Sequence, residues 1–223
     1  MTLLAPNECT PPLQESELGG WDLELPMASL QRPLDFQAIF GRTARVEIEI
    51  GSGSGLFLAE EAKRRPDVDF FAIEVDAGEV HRAKDKWRRR NLLNTRIVRC
   101  DAHYFLEEFP APASVDAFII LYSDPWPKKR HHKRRLFQPR LLPALRRALK
   151  PGGLLTIKTD VTEYYTVIRG LFDGCSEWLT PHFDKRLDLE PEEGDIVTNF
   201  QRKAMEAGHP LHYMRFERKP DPA

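Results

Sequence analysis

Five short runs rich in β-branched and aromatic residues most limit the folds open to this chain. They are RVEIEI (45–50), VDFFAIEV (68–75), TRIVRC (95–100), VDAFIILYS (115–123) and LLTIKT (154–159). An acid sits at or beside the end of each: Glu49, Glu74, Asp101, Asp124 and Asp160. Helix-like stretches alternate with them, namely LFLAEEAKRR stopped by Pro66, the charged GEVHRAKDKWRRR, PRLLPALRRAL (139–149) closed by Pro151-Gly152-Gly153, and TEYYTVIRGLF. LHYMRFERK (211–219) reads as a closing strand. Repeated strand–helix units predict an α/β fold, a doubly wound and mainly parallel sheet with helices on both faces. Right-handed crossovers put every strand tip on one edge, and ligands of such sheets bind beyond those tips. Glu47 fits poorly, since it falls inside the first strand and no partner for it is evident.

The remaining composition narrows the class. The chain has 223 residues, 41% of them hydrophobic, which suits one globular domain. Residues 1–20 are rich in Pro, Glu and Gly and lack periodicity, so residues 1–35 are read as a partly flexible N-terminal extension before a domain over 36–223. No apolar run approaches the roughly 18 residues of a membrane span, and MTLLAPNECTPP lacks the basic start of a secretory signal. Cys9, Cys100 and Cys175 are scattered, with no C-x-x-C pair. Neither a zinc site nor a disulfide framework is expected, and a reducing cytoplasm is the simplest setting.

The first strand runs into Glu49-Ile50-Gly51-Ser52-Gly53-Ser54-Gly55. Glycines let a backbone turn sharply and approach a ligand, although a plain tight turn would also use them. The dinucleotide fingerprint G-x-G-x-x-G sets its third glycine one place later. An acid before the first glycine disfavours a pyrophosphate and suits a donor with a sulfonium and an ammonium, S-adenosyl-L-methionine. Glu74, about twenty residues on, is placed to accept both ribose hydroxyls. Asp101, with Ala102, either meets the adenine edge or caps the next helix.

Net charge is only −1, but it is segregated. From Asp124 to Asp160 there is no intervening acid, against eleven Lys and Arg. Ser123-Asp124-Pro125-Trp126 at a strand tip is followed by the basic block Lys128–Arg135, which makes a local positive field suited to a polyanion. Trp126 either stacks on a base or anchors the loop in the core. His131 and His132 read as RNA contacts or surface positions rather than metal ligands. A second basic run, Lys84–Arg90, reads as an exposed helix face with Trp87 packed inward.

These residues resemble the bacterial tRNA (guanine-N7)-methyltransferase family from about Val46 to Arg218. EIGSGSG and AIEVD are shared by many methyltransferases, whereas SDPWPKKRHHKRR is similar to the more specific DPWxKxRHxKRR signature. Thr159-Asp160 and Thr198-Asn199-Phe200-Gln201 resemble further family motifs. The resemblance implies a seven-stranded, Rossmann-like class I methyltransferase that uses S-adenosyl-L-methionine and modifies a variable-loop guanine of tRNA, as a monomer or homodimer without metal or membrane. It implies Asp124 as catalytic, and a cofactor pocket of Glu49, Gly51, Gly53, Gly55, Glu74, Asp101, Ala102 and Asp124. Lys128, Asp160, Thr198, Asn199, Phe200 and Gln201 would meet the substrate. Arg130, His131, His132, Lys133, Arg134 and Arg135 would touch RNA. The late motif usually ends in Glu, so Gln201 keeps an acceptor but loses the charge. The rival readings are a methyltransferase acting on another RNA or a small molecule, a non-catalytic RNA-binding protein on the same fold, and an NAD oxidoreductase.

Overall fold

The computed structural model describes residues 23–187 and 196–221, the side chains of 182–187 excepted. Its parallel strands are β1 (Arg45–Ile50), β2 (Val68–Glu74), β3 (Thr95–Arg99), β4 (Val115–Leu121) and β5 (Leu149–Thr159). Helices α2 (Leu56–Arg64), α3 (Ala77–Arg89), α4 (Ala102–Glu108) and α5 (Leu141–Ala148) follow β1 to β4 in turn, after a short α1 (Phe36–Phe40). The chain ends through α6 (Thr162–Asp173), β6 (Leu179–Leu187), α7 (Asn199–Glu206) and β7 (Leu211–Arg218). The seven strands form one sheet in the order β3-β2-β1-β4-β5-β7-β6. Pairing is parallel from β3 through β5, and antiparallel between β5 and β7 and between β6 and β7.

The expected doubly wound sheet is therefore observed. Chain order runs outward from β1 to β3 on one side and from β4 to β5 on the other, so the direction of winding reverses between β1 and β4. Sheets of this kind bind ligands beyond the strand tips at such a reversal. Apolar side chains cover both faces, as parallel strands require. Ile48, Phe71, Phe118 and Ile157 pack under α1, α4, α5 and α6. Phe70, Ala72 and Ile97 pack under α2 and α3, and Ile119 and Leu121 meet Ala204 of α7.

Three elements depart from the sequence reading. β5 begins at Leu149, because Pro151-Gly152-Gly153 forms an irregularity within the strand rather than a break before it; pairing shifts between Val115 and Ala117. β6 had no periodic signal: it is an edge strand that holds Pro181, a residue that edges tolerate. α7 was not expected at all. Residues 23–35 pack on the sheet, with Leu23 and Leu34 buried and Leu25 N–H donating to the Ile97 carbonyl at 2.8 Å. Glu47 also finds its partner. Arg65, just past α2, donates to both its oxygens at 2.6 and 2.8 Å.

Candidate active site

The loop after β1 is built by three glycines in left-handed backbone, Gly51 (φ 75°), Gly53 (φ 50°) and Gly55 (φ 65°). Their surroundings differ. A Cβ on Gly51 or Gly53 would meet nothing within 4 Å, whereas one on Gly55 would lie 2.8 Å from Ala83 and Trp87. The first two glycines thus face open space, and the third seats the loop against α3. Trp87 is fully buried, and its Nε1 donates to the Gly55 carbonyl at 2.8 Å.

Glu49 stands at the floor of this loop, 3% exposed, and its Oε2 has no hydrogen-bond partner among the described residues. Burial pushes its carboxyl well above the usual range; the neighbouring Glu74 charge adds to this and Lys86 opposes it. Ser52 Oγ is likewise buried and unpartnered. A buried, unsatisfied carboxylate under an open glycine turn fits a cationic, hydrogen-bond-donating group, such as the ammonium of S-adenosyl-L-methionine.

Glu74 ties two loops together. Its Oε2 accepts from Gly53 N–H at 2.8 Å, and its Oε1 accepts from Val75 and Asp76 N–H at 2.8 and 2.9 Å. A carboxylate has about four lone-pair sites, so capacity remains for one ribose hydroxyl rather than the expected pair. Asp101 takes the capping role: its Oδ1 accepts from Tyr104 N–H at 3.0 Å at the start of α4, where Ala102 is the first helical residue.

β4 lies beside β1, with Ile119 opposite Glu49, so its exit loop rises next to the glycine turn. Asp124 is exposed in that loop. Two non-glycine residues in left-handed backbone flank it, Tyr122 (φ 54°) and Trp126 (φ 42°). Such strain persists only where the surroundings enforce it, and it concentrates at functional sites. Here Tyr122 N–H donates to the Lys158 carbonyl at 2.8 Å. On the other side, Arg135 Nε donates to the Pro125 carbonyl at 2.6 Å.

That bond corrects the sequence reading of Arg135. The residue is 5% exposed, and its guanidinium also lies 5.1 Å from the Tyr164 ring centroid. It braces the Asp124 loop and does not face solvent RNA. Lys128, Arg130, Lys133 and Arg134 are exposed on or beside a 3-10 segment (Lys129–Arg134), with His131 and His132 half-buried. Trp126 is half-buried, with His131 edge-on at 5.7 Å and the Arg134 guanidinium over its ring at 5.1 Å. Among the described residues no group of three His, Cys, Asp or Glu converges as a metal site.

A family model described as a putative methyltransferase matches residues 43–214. The tRNA (guanine-N(7)-)-methyltransferase of Nitrosomonas europaea is 38% identical over 190 residues, 84% of this chain and 83% of the relative. The chain belongs to the tRNA (guanine-N(7)-)-methyltransferase family. The family member of Pseudomonas aeruginosa is 36% identical over 209 residues, 92% of this chain and 85% of the relative. The fold is also that of a solved SAM-dependent methyltransferase from Aquifex aeolicus, with a TM-score of 0.55 at 13% identity over 82% of this chain and 87% of that one.

The family's late motif begins a helix in this member. Thr198 is the N-cap of α7, its Oγ1 accepting from Gln201 N–H at 3.1 Å. This is the first half of a capping box, whose T-x-x-Q pattern was legible in the sequence. The second half is missing, because the Gln201 amide is fully buried and neither its oxygen nor its nitrogen has a partner among the described residues. Asn199 is exposed. Phe200 is 62% exposed and stacks on Tyr122 at 6.5 Å, which brings the late motif onto the Asp124 loop. Asp160 is half-buried past the tip of β5, with His209 Nδ1 3.9 Å away. Lys86 was read as part of an exposed face, yet its Nζ donates to Ser54 O and Oγ at 2.7 and 3.1 Å. Its signal was its place beside Trp87, on the edge of the apolar stripe Val80-Ala83-Trp87 that faces the sheet.

Proposed function

We propose that this chain transfers a methyl group from S-adenosyl-L-methionine to N7 of a guanine in tRNA. The observation that carries this reading is the juxtaposition at the β1/β4 switch point: a buried, unsatisfied Glu49 on one strand, and on the next a strained loop that presents Asp124 and continues into a cationic rim. When bound, the donor supplies an electrophilic methyl on a sulfonium. Glu49 holds its ammonium, Gly51 and Gly53 leave room for the backbone to approach, and Glu74 and Asp101 border the nucleoside.

N7 of guanine has an in-plane lone pair and no proton. It attacks the methyl in line; the carbon–sulfur bond breaks as the nitrogen–carbon bond forms, and the sulfur keeps the electron pair. No general base is required. The chain's main task is alignment, which can lower such a barrier by about 7–11 kcal/mol. Asp124 accepts from the ring N–H and the amine of the base, and stabilises the positive charge that the purine gains. Lys128 and Asp160 face the substrate from the flanking tips. Arg134 occupies one face of Trp126, so Phe200, more exposed and supported by Tyr122, is the better stacking platform, worth about 1–3 kcal/mol. Arg130, Lys133 and Arg134 neutralise tRNA phosphates, and His131 and His132 contact the RNA beside them.

The enzyme acts in the cytoplasm, a setting that agrees with Cys100 and Cys175 being buried and unpaired; sedimentation decides between monomer and homodimer. The function is tested by incubating the protein with labelled donor and unmodified tRNA, then analysing nucleosides. Label in 7-methylguanosine is the expected result, and label in another nucleoside, or none, contradicts it.

A further inference from the structure

Lys86 lies in the last turn of α3, outside every motif that carries the family resemblance. Its Nζ donates to both the carbonyl and the hydroxyl of Ser54, at 2.7 and 3.1 Å, in the middle of the glycine loop. Trp87, next along the helix, holds the Gly55 carbonyl and fills the space a Cβ there would need. The two side chains grip consecutive residues of the loop from one helix. An exposed-face lysine would instead point into water and leave those acceptors to solvent. From this geometry we infer that Lys86 is a positioning residue for the methyl donor: it fixes the Ser54 segment of the loop above Glu49, the carboxylate that meets the donor's ammonium.

The inference rests on Glu49 being the residue that meets the ammonium. Two carboxylates, Glu49 of β1 and Glu74 of β2, are buried at the ends of neighbouring paired strands. The charged groups that act on Glu49 are Glu74, which disfavours its ionisation, and Lys86 of α3, which favours it. Lys86 in turn is acted on by Arg89 and Glu79 of its own helix, by Arg90 at the helix end, and by Glu49. Partial burial draws the Lys86 pKa down, and the Glu79 and Glu49 carboxylates draw it back up. Removing its charge therefore raises the pH at which Glu49 takes up a proton, and with it the pH below which the ammonium loses its partner.

The test is a titration with S-adenosylhomocysteine, which carries the same ammonium, from about pH 5 to about pH 9. Wild type, Lys86→Met, Lys86→Gln, Lys86→Arg and Glu49→Gln are compared by calorimetry. Lys86→Met is expected to weaken binding at neutral pH by about tenfold or more and to move the acidic limb of the profile to higher pH. Lys86→Gln keeps a donor without the charge and is expected to move the limb in the same way; Lys86→Arg restores it. If Lys86→Met does not fold, the Gln and Arg variants carry the comparison. A limb that stays in place in the uncharged variants, with affinity unchanged or lowered equally at every pH, overturns the inference while leaving the role of Glu49 intact. Wild-type affinity and an unaltered limb in Glu49→Gln would instead remove Glu49 from the site, and the inference with it.

Discussion

Arg135 Nε donates to the carbonyl of Pro125 at 2.6 Å, ten residues back along the chain. This closes the basic segment onto the loop that carries Asp124. The same guanidinium is shut off from solvent, so one member of a run of cations serves the loop while its neighbours Lys133 and Arg134 stay exposed.

Arg135→Met should therefore behave as a geometry mutant. Residues in left-handed backbone such as Tyr122 and Trp126 store about 1–3 kcal/mol each, and the loop relaxes when its brace is lost. The expected outcome is a fall in kcat, up to about a hundredfold because small misplacements near a reacting centre are that costly. Affinity for S-adenosylhomocysteine should change little. Single-turnover rates and a binding titration check both halves.

Lys133 and Arg134 should behave differently. Replacing either by Ala should reduce the slope of log K for tRNA against log salt by about 1, because one phosphate contact is lost. Arg135→Met should leave that slope unchanged. Binding measured across a salt series distinguishes the two classes.

The sequence showed the five tip-bearing strands because their side chains are apolar and β-branched over whole runs, which any parallel, doubly covered strand requires. It showed the glycine turn and Asp124 because these positions depend on residue type alone. Arg135 could not be told from Arg134 in that way, since its burial depends on Pro125 and on Tyr164, a ring contributed by a helix that comes later in the chain. β6 was hidden because an edge strand needs no continuous apolar run. α7 was hidden because its capping residues were read only as a ligand motif, when Thr198 does serve as a cap.

Glu49 should cost the ligand-free protein stability. Its folded-state pKa is raised by burial and by Glu74, so the folded protein binds the proton more tightly than the unfolded chain. Its contribution to stability is fully present below the unfolded pKa and is lost as pH rises through the raised folded value. At neutral pH, above the ordinary carboxylate range of an unfolded chain, burying this carboxyl therefore costs stability. Glu49→Gln is expected to raise the Tm of the ligand-free protein near pH 7 and to abolish most of the further rise that S-adenosylhomocysteine produces in wild type. Thermal melts with and without ligand report both effects.

The glycines of the loop should rank by their surroundings. Gly53→Ala meets only the left-handed penalty, about 1–2 kcal/mol, because a Cβ there faces open space. Gly55→Ala meets that penalty and also the ring of Trp87 at 2.8 Å, and overpacking adds about 1–3 kcal/mol. Denaturant unfolding should show the larger loss for Gly55→Ala.

In the proposed reaction Asp124 delivers and steadies the guanine while a separate anionic floor holds the donor. Asp124→Ala tests it most directly, with single-turnover methylation of tRNA and S-adenosylhomocysteine affinity measured on the same preparation. A rate lower by about a hundredfold or more is expected, with an affinity close to that of wild type. Equal losses in rate and in affinity would contradict it.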